Sequence, residues 1–123
     1  MLKRVLLIDD EDDIREVANL SIETVAGWQV FDASSGEQGI LTARTEHPDA
    51  ILLDVMMPGM DGPATFKKLR SDPATRDIPV IFLTAKVQGA DCRHFQELGV
   101  DGFIAKPFDP LLLADQIAEA LGW

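Results

Sequence analysis

The sequence is short of basic charge, of cysteine and of long apolar runs. Against 21 acidic residues it carries 11 basic ones, a net charge of −10 over 123 residues. Such a surface repels nucleic-acid backbones and anionic membranes, so neither is an expected partner, and a basic docking surface on another protein suits it better. Cys92 is the single cysteine. It forms no internal disulfide, which fits a reducing, cytoplasmic setting. Cys92, His47 and His94 supply no zinc-ligand spacing. No stretch approaches the length of a membrane span. The N-terminal Leu-Lys-Arg-Val-Leu-Leu-Ile run turns acidic after four apolar positions, too few for a signal-peptide core. No repeat, low-complexity tract or linker divides the chain. One domain over 1–123 is expected, with no room for a second catalytic one.

What is present is apolar and periodic. Strand-length runs recur at Val5–Ile8, Val30–Phe31, Ala50–Leu53, Val80–Leu83 and Phe103–Ala105. Three are nearly continuous, as in strands covered on both faces. Helical spacing fills the intervals. Ile14, Val17, Ala18, Ser21 and Val25 are expected on one face of the first helix. Ile40, Leu41 and Ala43 mark the second, with Ser35 as N-cap. Phe66 and Leu69, then Phe95 and Leu98, then Leu113, Ile117 and Leu121 mark the others. Asp109 and Pro110 read as the N-cap and first residue of the fifth helix. Gly27 and Gly99 read as helix stops. Five strand–helix repeats predict an α/β fold with a parallel sheet and helices on both faces. Ligands of such sheets bind beyond the carboxyl ends of the strands.

Those ends carry chemistry. Strand one runs into Asp9-Asp10, followed by Glu11, Asp12 and Asp13. Strand three ends in Asp54, strand four in Thr84, and strand five runs into Lys106-Pro107. Crowded carboxylates do not all ionise comfortably without a cation. Oxygen ligands suit a hard one; a few carboxylates plus waters fit magnesium, and the looped ligand spacing of a calcium EF-hand is absent. Lys106 offers a point charge to a phosphate oxygen, and Thr84 a neutral donor. Asp12 and Asp13 suit the first turn of the helix, and Asp61 the turn from Gly59 to Gly62.

The pieces Leu7-Ile8-Asp9-Asp10-Glu11, Leu53-Asp54-Val55-Met56-Met57-Pro58-Gly59-Met60-Asp61-Gly62, Pro79-Val80-Ile81-Phe82-Leu83-Thr84-Ala85 and Gly102-Phe103-Ile104-Ala105-Lys106-Pro107-Phe108 together resemble the response-regulator receiver family of two-component signalling. The resemblance covers almost the whole chain. It implies a flavodoxin-like, doubly wound sheet of order 2-1-3-4-5 with five helices. It implies Asp54 as phosphoacceptor, served by a sensor histidine kinase or phosphotransfer protein. Mg2+ would be held by Asp10 and Asp54, by Asp9 directly or through water, and by the Met56 carbonyl. Lys106 would bind the phosphoryl group, on a peptide bond to Pro107 that is usually cis. Thr84 and Phe103 would form the switch, reporting on a face made of the fourth helix, fifth strand and fifth helix. Met56 and Lys86 match positions that tune phosphoryl lifetime, and Met56 is expected to shield the acyl phosphate. The implied protein is no enzyme beyond its own phosphorylation and dephosphorylation, and is a monomer or weak dimer. A receiver cut from a larger regulator and a non-phosphorylated scaffold are the alternatives. Leu111 and Leu112 depart from the family's charged residues there. At least one is expected exposed beside the readout face, as a docking or dimer surface.

Two rivals fit the residues less well. A haloacid-dehalogenase-type phosphatase needs a second carboxylate two residues after its nucleophile, where this chain has Met56. A flavin carrier needs a phosphate-cradling loop rich in Ser, Thr and Gly after strand one, where this chain has Asp-Asp-Glu-Asp-Asp.

Overall fold

A computed structural model describes residues 2–85 and 90–123. Five strands, β1 (Arg4–Ile8), β2 (Gln29–Ala33), β3 (Ala50–Asp54), β4 (Val80–Thr84) and β5 (Gly102–Ala105), alternate with five helices. The helices are α1 (Asp12–Ala26), α2 (Gly36–Glu46), α3 (Gly62–Ser71), α4 (Ala90–Leu98) and α5 (Leu113–Leu121). All strand pairs are parallel, in the order β2-β1-β3-β4-β5. The expected flavodoxin-like, doubly wound architecture is the one observed.

The continuous apolar runs are explained by two cores. Side chains alternate across a strand. Leu6, Ile8, Ile51, Leu53 and Phe82 therefore face one side, where Phe66, Leu69 and Phe95 of α3 and α4 cover them. Val5, Leu7, Leu52, Ile81 and Leu83 face the other, where Ala18 and Ile22 of α1 and Leu113 and Ile117 of α5 cover them. Phe82 makes edge-to-face contacts with both Phe66 and Phe95. Several helix ends are capped, those at Ser35, Gly27 and Gly99 as expected. The Ser35 hydroxyl accepts from the Gln38 N–H, and Asp61 Oδ1 accepts from the Ala64 N–H. Gly27 closes α1 at φ 70°, and Gly99 follows α4 at φ 93°.

Three expectations need correction. Val17 and Val25 are exposed rather than inward, because the buried stripe of α1 runs through Ala18 and Ile22. Leu41 is exposed beside the buried Ala43. Helix α5 starts at Leu113, not at Pro110. The Asp109 carboxylate accepts from the Leu111 N–H and the Asp109 carbonyl from the Leu112 N–H, so Asp-Pro opens a separate turn.

Candidate functional site

Strand β1 lies between β2 and β3, so chain order reverses there, and Ile8 pairs with Leu53. That register sets Asp9 beside Asp54 at the carboxyl edge. Oxygens of Asp9, Asp10 and Asp54 lie within 4.8 Å of one another. Asp9 is wholly buried and Asp54 is 2 % exposed, whereas Asp10 stands in solvent. Thr84, at the end of β4, is buried and lines the same pocket with Met56, Ala85 and Lys106. The Lys106–Pro107 peptide is cis, as the resemblance implies.

Lys106 spans the acidic group from β5. Its Nζ donates to Asp9 Oδ2 at 2.9 Å and to Glu11 Oε1 at 3.3 Å, and lies 3.2 Å from Asp54 Oδ2. The contact with Asp54 is an ion pair rather than an aligned hydrogen bond, so among the described residues the buried Oδ2 has this ion pair and no hydrogen-bond partner. The other oxygen of Asp54 accepts the Met56 N–H at 3.3 Å. Burial, then the charge of Asp9, push the Asp54 carboxyl up to about 6, while Lys106 and the Met56 N–H pull it back. Burial alone would lower the Lys106 ammonium, but its hydrogen bond to Asp9 and the charge of Asp54 hold it above its usual value.

The donor set suits a hard cation. Carboxylate oxygens converge, one of them buried with an ion pair but no aligned hydrogen bond, and among the described residues one ammonium is shared by more carboxylates than it can neutralise. A divalent ion held by oxygens answers both conditions.

The loop after β3 is shaped to return against it. The Gly62 N–H donates to the Val55 carbonyl at 3.0 Å. A Cβ on Gly62 would stand 2.6 Å from the Asp54 carbonyl oxygen and 2.7 Å from Val55 Cα, so glycine is required. Asp61, expected to shape this turn, caps α3 and does not enter the acidic group.

Other expected residues fall as follows. Phe103 pairs with Phe82, and Thr84 with Ala105, so Thr84 and Phe103 share one sheet face, with Phe103 half-buried against Phe95. Met56 lines the pocket but is itself 80 % exposed, which leaves the expected shielding without support. Lys86 lies outside the described residues. Leu111 and Leu112 are both exposed, but Leu111 faces α1 rather than the fourth-helix side. It shares a groove of about 490 Å³ with Val17, Leu20, Val25 and Pro110.

Two residues contribute that local patterns do not single out. Glu11 is the second hydrogen-bond acceptor of Lys106. Arg15 donates from Nη1 to the Asp9 carbonyl at 2.6 Å, pairs with Asp12, and approaches Asp32 at 3.6 Å. It thereby ties the acidic turn to α1 and β2 with a permanent positive charge.

The response regulator receiver domain model matches residues 5–118. The chain belongs to that family. It is 40 % identical over 110 residues to the alkaline phosphatase synthesis transcriptional regulatory protein PhoP of Bacillus subtilis, covering 89 % of this chain and 45 % of that protein. It is 37 % identical over 119 residues to the probable transcriptional regulator ycf27 of Pyropia yezoensis, covering 97 % of this chain and 47 % of that one. This receiver chain thus spans about half the length of the curated relatives it matches. Among solved structures, the chemotaxis protein CheY4 of Vibrio cholerae superposes with a TM-score of 0.89 at 27 % identity, over 98 % of this chain and 99 % of that one. The receiver domain of a sensor histidine kinase of Pseudomonas aeruginosa, with magnesium coordinated in its active-site cleft, gives 0.85 at 26 % identity over all of both chains. Among the described residues, no helix of this receiver is long and apolar enough to cross a membrane.

Proposed function

We propose that this receiver is a phosphorylation-dependent switch in which Asp54 accepts a phosphoryl group from a histidine kinase or phosphotransfer protein. The observation that carries this is the buried Asp54 carboxylate, poised between Lys106 and the acidic pair. Asp9, Asp10 and Asp54, with the Met56 carbonyl, would hold Mg2+, as the cleft of the Pseudomonas domain holds magnesium. When bound, the ion supplies positive charge that offsets the carboxylates and the entering phosphoryl oxygens.

In the transfer, the Asp54 carboxylate forms a bond to phosphorus. The bond from phosphorus to the donor's histidine nitrogen breaks, its electron pair stays on that nitrogen, and the imidazole takes a proton. Little further covalent chemistry is asked of the protein, so placement and charge do the work. Lys106 binds a phosphoryl oxygen, and the Thr84 hydroxyl donates to another. Inward movement of Thr84 opens space on the sheet face it shares with Phe103, and Phe103 turns in from the surface. A local charge thereby biases a two-state packing element on the α4–β5–α5 side. No other substrate is turned over. Met56 and Lys86 are the candidate regulators of phosphoryl lifetime.

The test is intact mass after incubation with acetyl phosphate and magnesium. The wild-type chain gains one phosphoryl group and Asp54→Ala gains none; labelling of both, or of neither, refutes the reading.

The groove beside α1 bears on the donor. Ile14 lines the acidic pocket, and Val17, one turn further along α1, lines the groove; Pro107 and Pro110 continue the same two sites on the other side. Glu11, Asp12, Asp13 and Glu16 stand exposed at the start of this helix. The complementary occupant is a donor helix with an apolar stripe and a basic rim. Leu20→Glu with Leu111→Glu should lower phosphoryl transfer from a phosphotransfer protein at least about tenfold, the loss of roughly 1.4 kcal/mol of apolar contact. Labelling by acetyl phosphate should be unchanged. Equal loss with both donors would remove the groove from donor binding.

A further inference from the structure

Glu11 occupies the N-cap of α1 yet makes no side-chain cap bond. Its backbone serves the local turn: the N–H donates to Asp9 Oδ1 at 2.8 Å, and the carbonyl accepts from the Arg15 N–H. The side chain instead crosses to Lys106, 95 residues away, and lines the pocket. N-cap positions favour short residues that bond the next turn. A longer side chain that leaves that role to hold a lysine marks a site where local preference yields to function.

The three carboxylates on Lys106 differ in freedom. Asp9 is wholly buried and its other oxygen is held by the Glu11 N–H. Asp54 is buried and is the phosphate acceptor on the reading above, on which this inference rests. The Glu11 side chain is 58 % exposed, so it alone of the three can swing into water. An arriving phosphoryl oxygen meets an ammonium with two of its three N–H groups engaged, one by Asp9 and the other by Glu11.

We infer that Glu11 is a displaceable counter-ion of Lys106, a positioning residue that restrains phosphorylation in the resting state and gives up its place to the phosphoryl group. The restraint has two parts. Glu11 occupies a donor of the lysine, and its charge at the pocket edge opposes an anionic phosphodonor.

The experiment compares wild type, Glu11→Gln and Glu11→Asp, with the Lys106 ammonium followed by NMR in lysine-labelled protein. Glu11→Asp keeps the charge but withdraws it by one methylene. Both variants should shift the Lys106 ammonium signal and speed its proton exchange with water, without acid or donor present. In low salt, Glu11→Gln should be labelled by acetyl phosphate about three- to fivefold faster than wild type, the scale of one exposed ion pair. Glu11→Asp should also be faster, and high salt should shrink the Gln advantage because the lost charge is exposed. A wild-type rate in Glu11→Asp would assign the effect to charge alone and overturn the contact. An unchanged or slower rate in Glu11→Gln, or an unmoved lysine signal, would overturn the proposal. Absence of labelling in wild type would instead strike the parent reading, and the lysine signal would still report whether Glu11 holds Lys106.

Discussion

Metal-free at pH 7.5, Asp54→Asn should resist denaturant better than the wild-type chain, by about 2 kcal/mol. The cause is the carboxylate's own site. Burial and the neighbouring Asp9 raise Asp54 from 3.8 to about 6 despite Lys106. Between those values the folded chain binds more protons than the unfolded one. Stability therefore rises as pH falls from about 6, and the gain is complete below 3.8. Above 6 the carboxylate is ionised in both states and the fold carries the whole penalty, at most about 3 kcal/mol for a shift of this size. Asparagine removes the charge and keeps an oxygen for the Met56 N–H. The advantage should fade as pH is lowered towards 4. Magnesium should narrow it from the other side, since it stabilises the form that binds it, and wild type offers the third carboxylate. Urea midpoints at constant slope, measured with and without magnesium, check both trends. An Asp54→Asn chain no more stable than wild type at pH 7.5 would mean that Lys106 already neutralises the site.

The site was legible in the sequence because its parts stand where apolar runs break. Asp9, Asp54, Thr84 and Lys106 each follow or end a run that had to be a strand. A parallel sheet then brings strand ends together without any knowledge of the loops. The two-sided burial of β1, β3 and β4 is the same signal seen twice, since continuous runs exist only where helices cover both faces.

What was not legible has local causes. Helix α1 is apolar around much of its circumference, so periodicity could not choose between the stripe through Ala18 and Ile22 and the one through Val17 and Leu20. Only packing against the sheet selects the first, and the second becomes the groove. Asp-Pro opens a turn as readily as a helix, and α5 starts where Leu113 first reaches the core. The Glu11–Lys106 contact and the Arg15 grip on Asp9 depend on side-chain reach across the sheet edge. No spacing rule encodes either.

Lys106→Met should produce the opposite stability change to Asp54→Asn and the same functional one. It should cost about 3 kcal/mol at pH 7.5, the scale for stranding buried carboxylates by removing their partner. Among the described residues, Asp9 would keep only the Glu11 N–H and Asp54 only the Met56 N–H as side-chain hydrogen bonds, with their charges repelling at short range. The loss should shrink in acid as the carboxylates take up protons. It should also shrink in the double variant, because Asp54→Asn removes one of the stranded charges; the non-additivity measures their coupling. Labelling by acetyl phosphate should fall at least about tenfold in Lys106→Met, since a charge-assisted hydrogen bond to the entering phosphoryl group is gone. It should be absent in Asp54→Asn. One variant is then impaired and less stable, the other inactive and more stable. Loss of folding cannot explain both, and what the two share is the ion pair between Asp54 and Lys106 at 3.2 Å.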